Sequence, residues 1–288
     1  MRTNAFIFRC FVLTALFAAC GTAPSAPDAG DPGTGDPDGG GDTTGHLRVV
    51  ARFGWPSLGR TAFSLKVDGQ ALSAAFDMAM LAAETQGDLP GRDTVFLPIA
   101  VGEHTLEATG TARFEWCVNP PFCSGQTYSL DFSGSATFTA TAGGHQVAFV
   151  DFFAVFVGPA VPPQAGDPLV KVVDVTVPSS GASLVVQRSG QFPVSDVTYG
   201  WVPRANACED TVSATIAVQD SGAFTVPAAT EGYFWTQAPD GQRMYYEIPA
   251  LNEGEVYPVL SSSGGLLLAP QTSGARTAAA IFFPTCEV

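Results

Sequence analysis

The sequence predicts an all-β protein with two tandem β-sandwich domains. Glycine and proline are abundant, with 31 and 22 of 288 residues, whereas only 14% of the residues are charged. This composition favours short strands joined by turns over long amphipathic helices. Several segments also alternate apolar and polar side chains, which is typical of strands with one buried face. With 46% hydrophobic residues, the chain can build a core in each of two domains.

The chain begins with the features of an export signal. Residues 1–9 carry Arg2 and Arg9 and no acidic group, and residues 10–19 are predominantly apolar. A run of this length is too short to cross about 30 Å of hydrocarbon as a helix. Residues 1–19 are therefore predicted to be a signal peptide.

The end of this segment, Phe17-Ala18-Ala19-Cys20, resembles the cleavage motif of bacterial lipoprotein precursors. The resemblance implies cleavage before Cys20 and acylation of that cysteine, with palmitate as a typical acyl chain, which anchors the protein to the membrane of the cell envelope. Gly21 in place of aspartate implies the outer membrane in a bacterium with two membranes. A secreted protein cut after Ala23, or an uncleaved anchor, is the alternative.

Residues 20–45 are predicted to be a flexible, acidic, glycine- and proline-rich linker. They contain no aromatic and no large aliphatic side chain, so they cannot bury enough apolar surface to offset the entropy of ordering. The stretch 36–42 superficially resembles a calcium loop but lacks the terminal glutamate and the ligand spacing of an EF-hand. We therefore predict a disordered linker here rather than a metal site.

The charge of the body argues against a nucleic-acid partner. From residue 46 onward the chain has 11 basic and 22 acidic residues, so these residues contribute −11 to the net charge of −14. Binding of nucleic acid needs a basic surface that neutralises phosphates, and no basic stripe is present.

The first β-sandwich domain is predicted at residues 46–157. Asp68-Gly69 predicts a tight hairpin, and the following segment 71–86 fits either strand or helix spacing, with strand favoured after such a turn. The residues from Gly102 through His104 to Ala108 resemble a pattern common in immunoglobulin-like sandwiches. Residues 146–156 are almost entirely apolar, which predicts a central core strand, with an exposed partner-binding face as the alternative.

A second domain is predicted at residues 169–288, after a proline-rich inter-domain linker at 158–168. Its most informative pattern resembles the carboxypeptidase-regulatory-like, transthyretin-like sandwich family, in which the pattern joins two paired strands. The resemblance implies an accessory β-sandwich without catalytic residues. The matching residues are Asp220, Gly222, Phe224, Val226, Pro227, Gly232 and Tyr233.

Four cysteines lie in the body, an even number that predicts disulfides in an oxidising compartment. We expect the pairs Cys117–Cys123, which would clamp a short loop, and Cys208–Cys286, which would fasten the C-terminal strand. A zinc site at Cys117 and Cys123 is the less favoured alternative, because no paired histidine or cysteine lies nearby in sequence.

Aromatic residues on a predicted hairpin at 232–248 are the candidate ligand-binding residues. These are Tyr233, Trp235, Tyr245 and Tyr246. Exposed rings could stack on a carbohydrate or grip a peptide, whereas buried rings would belong to the core.

The expected function is that of a lipid-anchored cell-envelope protein with a structural or binding role. No metalloprotease, nucleophile-elbow or phosphate-loop motif is present in the sequence, so we predict no catalytic residue, metal or cofactor. The expected partners are the membrane, through Cys20, and an envelope protein or glycan. The alternatives are an extracellular carbohydrate- or peptide-binding module that uses the hairpin aromatics and, less favoured, an envelope hydrolase with an unrecognised acid pair.

Overall fold

The computed structural model describes residues 43–54, 62–72, 77–80, 96–115, 127–155, 161–190, 196–206, 212–217, 220–237, 241, 243–262, 265–271, 274–276 and 280–281. The protein is all-β, and the described residues form strands, turns and one 3₁₀ turn at Arg204–Asn206. No helix among them is long and apolar enough to cross a membrane. The strands are β1 Thr44–Gly54, β2 Ala62–Val67, β3 Gln70–Ala71, β4 Asp77–Met80, β5 Leu97–Ala100, β6 Gly102–Glu115, β7 Thr127–Ala140, β8 His145–Val155, β9 Gln164–Ala165, β10 Leu169–Val175, β11 Ala182–Arg188, β12 Val197–Pro203, β13 Val212–Ile216, β14 Ser221–Val226, β15 Gly232–Gln237, β16 Arg243–Ile248, β17 Val256–Ser262, β18 Gly265–Gln271, β19 Gly274–Arg276 and β20 Ala280–Ile281.

These strands form four sheets, which we number by their position in the stack. Sheet 1 has the order β3-β2-β6-β7, and sheet 2 has the order β10-β8-β1-β4, with β5 paired to β1 and β9 paired to β8. Sheet 3 has the order β14-β11-β17-β18-β19, and sheet 4 has the order β13-β12-β15-β16-β20. We call sheets 1 and 2 the first half of the body and sheets 3 and 4 the second half.

Three layers of apolar side chains separate the four sheets. The first core lies between sheets 1 and 2 and includes Leu47, Val49, Leu65, Leu106, Phe132, Val150 and Phe152. The second core lies between sheets 3 and 4 and includes Leu184, Val186, Tyr199, Trp201, Phe234, Tyr257 and Val259. A third core joins the two halves, because sheets 2 and 3 face each other through Val50, Val147, Phe149, Leu169, Val185, Val256 and Leu260.

The stacking explains which strands are apolar throughout. Sheets 2 and 3 are covered on both faces, so every residue of β11 is buried, as is β8 from Gln146 to Ala154. A strand buried on both faces loses the alternation that a half-exposed strand shows. The prediction that residues 146–156 contain a central core strand is confirmed for β8.

The alternating segments lie in the outer sheet, as expected. In β7, Ser135, Thr137 and Thr139 are exposed, whereas Phe138 and Ala140 point into the first core. The predicted hairpin is also confirmed, since Val67 pairs with Gln70 across a two-residue turn. Asp68 and Gly69 there have φ angles of 50° and 75°, and a hairpin turn of this type requires a positive φ at both positions.

In the undecided segment 71–86, Ala71 of β3 and Asp77–Met80 of β4 are strand, and Leu72, the other described residue, lies outside the strands. The last two residues of the range predicted to be linker, Thr44 and Gly45, pair with Ala100 and Ile99 of β5 as the start of β1, and residues 20–42 lie outside the described residues. These backbone bonds hold the start of β1 in the sheet.

The course of the chain between the halves also differs from expectation. The predicted boundary 158–168 contains β9, and the strand that follows, β10, is hydrogen-bonded along its length to β8 of sheet 2. The chain therefore passes from sheet 2 to sheet 3 at residues 176–181. The division into two domains itself stays a prediction.

The pattern from Asp220 to Tyr233 does not join two paired strands. It places β14 in sheet 3 and β15 in sheet 4, on opposite sides of the second core. This segment crosses between the two sheets of the second half, and the family resemblance itself stays a prediction.

Candidate functional site

The structure buries most of the aromatic residues predicted to bind a ligand. Tyr233, Trp235 and Tyr246 are 6, 1 and 3% exposed, and only Tyr245 of the four is half-buried. Tyr246 points into the second core beside Phe234. Tyr233 and Trp235 lie on the other face of sheet 4, in a small buried cluster with Val202 and Tyr245.

An exposed aromatic platform is therefore not formed by these residues, which corrects that prediction. The guanidinium of Arg243 lies 4.0 Å from the ring centre of Trp235 and holds its charge over the ring by a cation–π contact. Residues 232–236 of β15 are buried on both faces, whereas β16 keeps Glu247 exposed and residues 243–245 half-buried.

The predicted lipidation and disulfide residues lie outside the described residues. These are Cys20, Cys117, Cys123, Cys208 and Cys286. The lipid anchor and both disulfide pairs stay predictions.

The most distinctive polar group of the body is a buried ion pair in sheet 2. Arg52 of β1 and Asp151 of β8 are register partners, and both side chains are 0% exposed. The Nε and Nη2 atoms of Arg52 each lie 2.7 Å from Oδ1 of Asp151. Charges this deeply buried are retained in proteins when they are paired and hydrogen-bonded.

This ion pair extends across the junction between the two halves. Ser189, which directly follows β11 of sheet 3, donates its hydroxyl to Oδ2 of Asp151. Arg48, two positions before Val50 on the same face of β1, donates from Nη1 to the carbonyl of Val256 at 3.1 Å. We call Arg48, Arg52, Asp151, Ser189 and the Val256 carbonyl the seam. Hydrogen bonds depend on direction, so the bonds of the seam favour one orientation of sheet 2 relative to sheet 3. Apolar contacts alone constrain that orientation less.

An open cleft of about 620 Å³ lies at the edge of the same junction. One wall is the end of β10 with the connection 176–181, and the other is β14. Its lining is rich in hydroxyl groups and carries one carboxylate, and includes Asp174, Thr176, Ser179, Ser180, Ser183 and Thr225. Gln146 donates to Asp174 at 2.7 Å and so orients that carboxylate.

Both walls of this cleft are edge strands in the part of the chain that is described, since β10 ends sheet 2 and β14 ends sheet 3. Edge strands present backbone N–H and C=O groups, to which an extended peptide or a polar polymer can hydrogen-bond. The cleft therefore combines backbone groups, hydroxyls and one carboxylate, which suits recognition of a polar ligand.

A second ion pair closes the hairpin of sheet 1. Nδ1 of His104 lies 2.7 Å from Oδ2 of Asp68, and Nε2 lies 2.7 Å from the carbonyl oxygen of Ala100. The hydrogen bond to Asp68 raises the pKa of His104 above its ordinary value. The pKa of Asp68 is lowered, first by the N–H of Thr105 and then by His104. We call this pair the clasp.

No group of three or more histidine, cysteine, aspartate or glutamate side chains is placed to hold a metal ion among the described residues. The seam residues were not among the candidates that the sequence suggested. A signal for them is present, because Arg48, Arg52 and Asp151 interrupt strands that are otherwise apolar. A charge within a strand that is buried on both faces indicates a buried partner.

Comparisons with known proteins add little to this geometry. No protein-family model matches the sequence, and a search of the curated proteins found no match. A solved structure from Bacteroides ovatus ATCC 8483, described as a "putative cell adhesion protein", is 10% identical, with 85% of this chain and 99% of that chain covered, at a TM-score of 0.23. We draw no conclusion from a similarity of this size.

Proposed function

We propose that this chain is a lipid-anchored cell-envelope protein whose folded body has a structural or binding role. The motif that ends at Cys20 supports the anchor, and the cleft between β10 and β14 supports binding. The cleft is the observation that carries the binding role, because it is open to solvent, is built from both halves of the body, and is lined by hydroxyl, carboxylate and apolar side chains. The proposed role needs no catalytic step.

The physical basis of the anchor is the acyl chains that Cys20 would carry. Each buried CH₂ group contributes about 0.8 kcal/mol to membrane affinity, so several acyl chains together give stable attachment. The acidic body, in contrast, has no electrostatic attraction to anionic headgroups.

The anchor is tested by metabolic labelling with a palmitate analogue in a bacterial host that processes lipoproteins. We expect the wild-type chain to be labelled and to sediment with membranes, and the Cys20→Ala variant to carry no label. Cys10→Ala is the matched control, since Cys10 lies in the segment predicted to be removed. A wild-type chain without label would contradict the anchor and favour the secreted alternative, and label that persists in Cys20→Ala would place the acyl chain on a residue other than Cys20.

The binding role is tested by photo-crosslinking in intact cells. A photoreactive residue at Thr225, which is exposed in the cleft, is compared with one at Thr137, which is exposed on the outer face of sheet 1. We expect one discrete crosslinked envelope protein or glycan from position 225 and none from position 137. The same products from both positions would show that the cleft is not the binding site.

A carbohydrate- or peptide-binding module remains the second candidate, now with a different site. The buried rings of Tyr233, Trp235 and Tyr246 do not offer a stacking surface, so its ligand would occupy the cleft. Hydroxyl and carboxylate groups there favour hydrogen bonding to a polar ligand over ring stacking.

A further inference from the structure

Alternate backbone groups of β14 point away from sheet 3. The N–H of Arg188 in β11 donates to the carbonyl of Asp220 at 2.9 Å, so the backbone of Asp220 faces β11. In an antiparallel pair, every second residue exchanges hydrogen bonds with the paired strand, and the residues between them turn their N–H and C=O groups the other way. The register of β11 and β14 continues without a shift along both strands. The groups that point away therefore belong to Ser221, Ala223 and Thr225.

Two of these three residues leave their outward backbone groups free for a ligand. The N–H of Ser221 donates to Oδ1 of Asp220 at 2.9 Å and is thereby satisfied. Ala223 and Thr225 are exposed, and no residue that the structure describes bonds their outward groups. Residues two positions apart on a strand are separated by about 7 Å. An extended peptide repeats its own N–H and C=O groups at that distance, so it can bond both residues as an added strand.

The opposite wall of the cleft closes one end and supplies a charge. Nζ of Lys171 in β10 lies 3.2 Å from Oδ1 of Asp220, so an ion pair bridges the two edge strands where β14 begins. Beyond this bridge, Asp174 is exposed at the end of β10, and Nε2 of Gln146 donates to its carboxylate at 2.7 Å. Among the described residues that line the cleft, Asp174 is the one with a charged side chain. A ligand with a positive charge therefore suits the cleft better than an acidic one.

Side chains on an added strand would alternate between two surroundings. Ala223 is the register partner of Val185, which lies in the third core, so Ala223 and Thr225 face the cleft. Phe224 lies in the second core instead. Side chains that lie opposite each other on adjacent strands share a face of the sheet. Every second residue of the added strand therefore points toward the wall that carries Asp174.

We propose that the cleft binds an extended peptide segment of an envelope protein, which adds to sheet 3 as a strand beside β14 and places a lysine or arginine against Asp174. The inference rests on the proposed binding role of the cleft and names the class of its ligand. A glycan would rely on the hydroxyl groups of the lining, whereas the free N–H and C=O groups of Ala223 and Thr225 match a peptide backbone. The expected segment is short, because β14 has six residues.

Photo-crosslinking in intact cells tests the strand addition through the backbone of residue 225. The photoreactive residue is placed at Val177, which lines the opposite wall and is 40% exposed. In this background, Thr225→Pro removes the outward N–H but none of the bonds to β11, and edge strands tolerate proline. Thr225→Val is the matched control, because it removes the hydroxyl and keeps the N–H.

We expect Thr225→Val to give the same crosslinked protein at the wild-type level, and Thr225→Pro to give at least about fivefold less, because the peptide carbonyl opposite residue 225 loses its donor. Loss of the product in both variants, or a crosslinked glycan, would assign the ligand to the hydroxyl groups and overturn the strand addition. Undiminished product from Thr225→Pro would overturn it as well. These results would leave the cleft as the binding site, whereas the absence of any product with wild-type Thr225 would remove the proposed binding role and this inference with it.

A second pair of variants tests the charge and leaves the backbone unaltered. Asp174→Asn is compared with Asp167→Asn, which changes an exposed carboxylate outside the lining of the cleft. We expect about two- to fivefold less product from Asp174→Asn, as for the loss of an exposed ion pair, and no change from Asp167→Asn. Equal yields from both variants would overturn the proposed contact. This pair decides the proposal if Thr225→Pro lowers the thermal unfolding midpoint of the purified protein.

Discussion

Two ion pairs link neighbouring elements of this protein at the same separation but in different surroundings. In the seam, Arg52 and Asp151 are 2.7 Å apart and both side chains are 0% exposed. In the clasp, His104 and Asp68 are also 2.7 Å apart, with side chains that are 10 and 49% exposed. The seam lies between the two halves of the body, whereas the clasp holds a hairpin turn at the surface.

The comparison shows that burial, rather than the distance between the charged atoms, determines how much an ion pair contributes to stability. Water screens an exposed pair, so its contribution to stability is small and depends on pH. A buried pair has lost its hydration, so each member depends on the other for its solvation. The buried pair therefore ties β1 to β8 within sheet 2, the hydroxyl of Ser189 connects it to sheet 3, and the clasp stabilises one turn.

The largest effect is expected from removal of one charge of the seam. Asp151→Ala leaves Arg52 buried without its carboxylate partner and removes the acceptor of the Ser189 hydroxyl. Such a change costs about 3–5 kcal/mol of the free energy of unfolding. Urea unfolding followed by tryptophan fluorescence measures it.

The matched control is Asp167→Ala, which removes an exposed carboxylate in the same half. This change should alter the free energy of unfolding by no more than about 0.5 kcal/mol. If Asp151→Ala were as mild as the control, the buried Arg52–Asp151 pair would not be important for the stability of the body.

Replacement of the ion pair together with the Ser189 hydroxyl is expected to change the free energy of unfolding less, and to raise it rather than lower it. The triple variant Arg52→Met, Asp151→Leu, Ser189→Ala removes both charges and the hydroxyl together, so neither charge is left without the other. Replacement of a buried ion pair by apolar side chains is often neutral or stabilising by about 1–4 kcal/mol. The same urea titration should place this variant at or above the wild type.

This variant separates two possible roles of the seam, which are to stabilise the body and to fix one arrangement of sheets 2 and 3. A triple variant less stable than the wild type would show that the bonds of the seam add net stability. A stable triple variant would show that the seam is retained for the fixed arrangement of sheets 2 and 3 rather than for stability.

The sequence predicts the fold class well because local patterns determine it. The alternation of Ser135, Thr137 and Thr139 with apolar neighbours identifies β7, and Asp68-Gly69 identifies the hairpin of β2 and β3 without reference to the rest of the chain. The apolar run of β8 likewise indicates a strand covered on both faces.

The sequence predicts less where distant segments meet. Proline-rich residues 158–168 resemble a domain boundary. The strand after them, β10, nevertheless pairs with the edge of β8, and no local pattern in the sequence reveals which strand offers an edge for pairing. Trp235 is covered by Val202, Tyr233, Tyr245 and the guanidinium of Arg243, so its aromatic character alone could not distinguish a ligand platform from a buried cluster. The cleft joins residues of β10 and β14 that are about fifty positions apart in sequence.

The smallest effect is expected at the clasp and concerns pH. The acceptors of His104 are a carbonyl and a carboxylate, so the ring must carry protons on both nitrogens to donate to both. The pKa of His104 is raised above 6.5, so its contribution to stability is complete below pH 6.5 and is lost as the pH rises through the raised pKa. The pKa of Asp68 is lowered below 3.8, so its contribution is complete above pH 3.8 and is lost as the pH falls through the lowered pKa.

Both contributions are therefore complete between about pH 3.8 and 6.5. We expect Asp68→Asn to lower the pKa of His104 toward 6.5, because the amide that replaces the carboxylate is neutral. An NMR titration of the His104 ring protons measures the shift. The control Asp131→Asn changes an exposed carboxylate that accepts a bond from Thr111 in the same sheet, and should leave the pKa of His104 unchanged. If Asp68→Asn left it unchanged as well, the Ala100 carbonyl rather than the carboxylate would hold the second proton, and the clasp would be an ordinary turn contact.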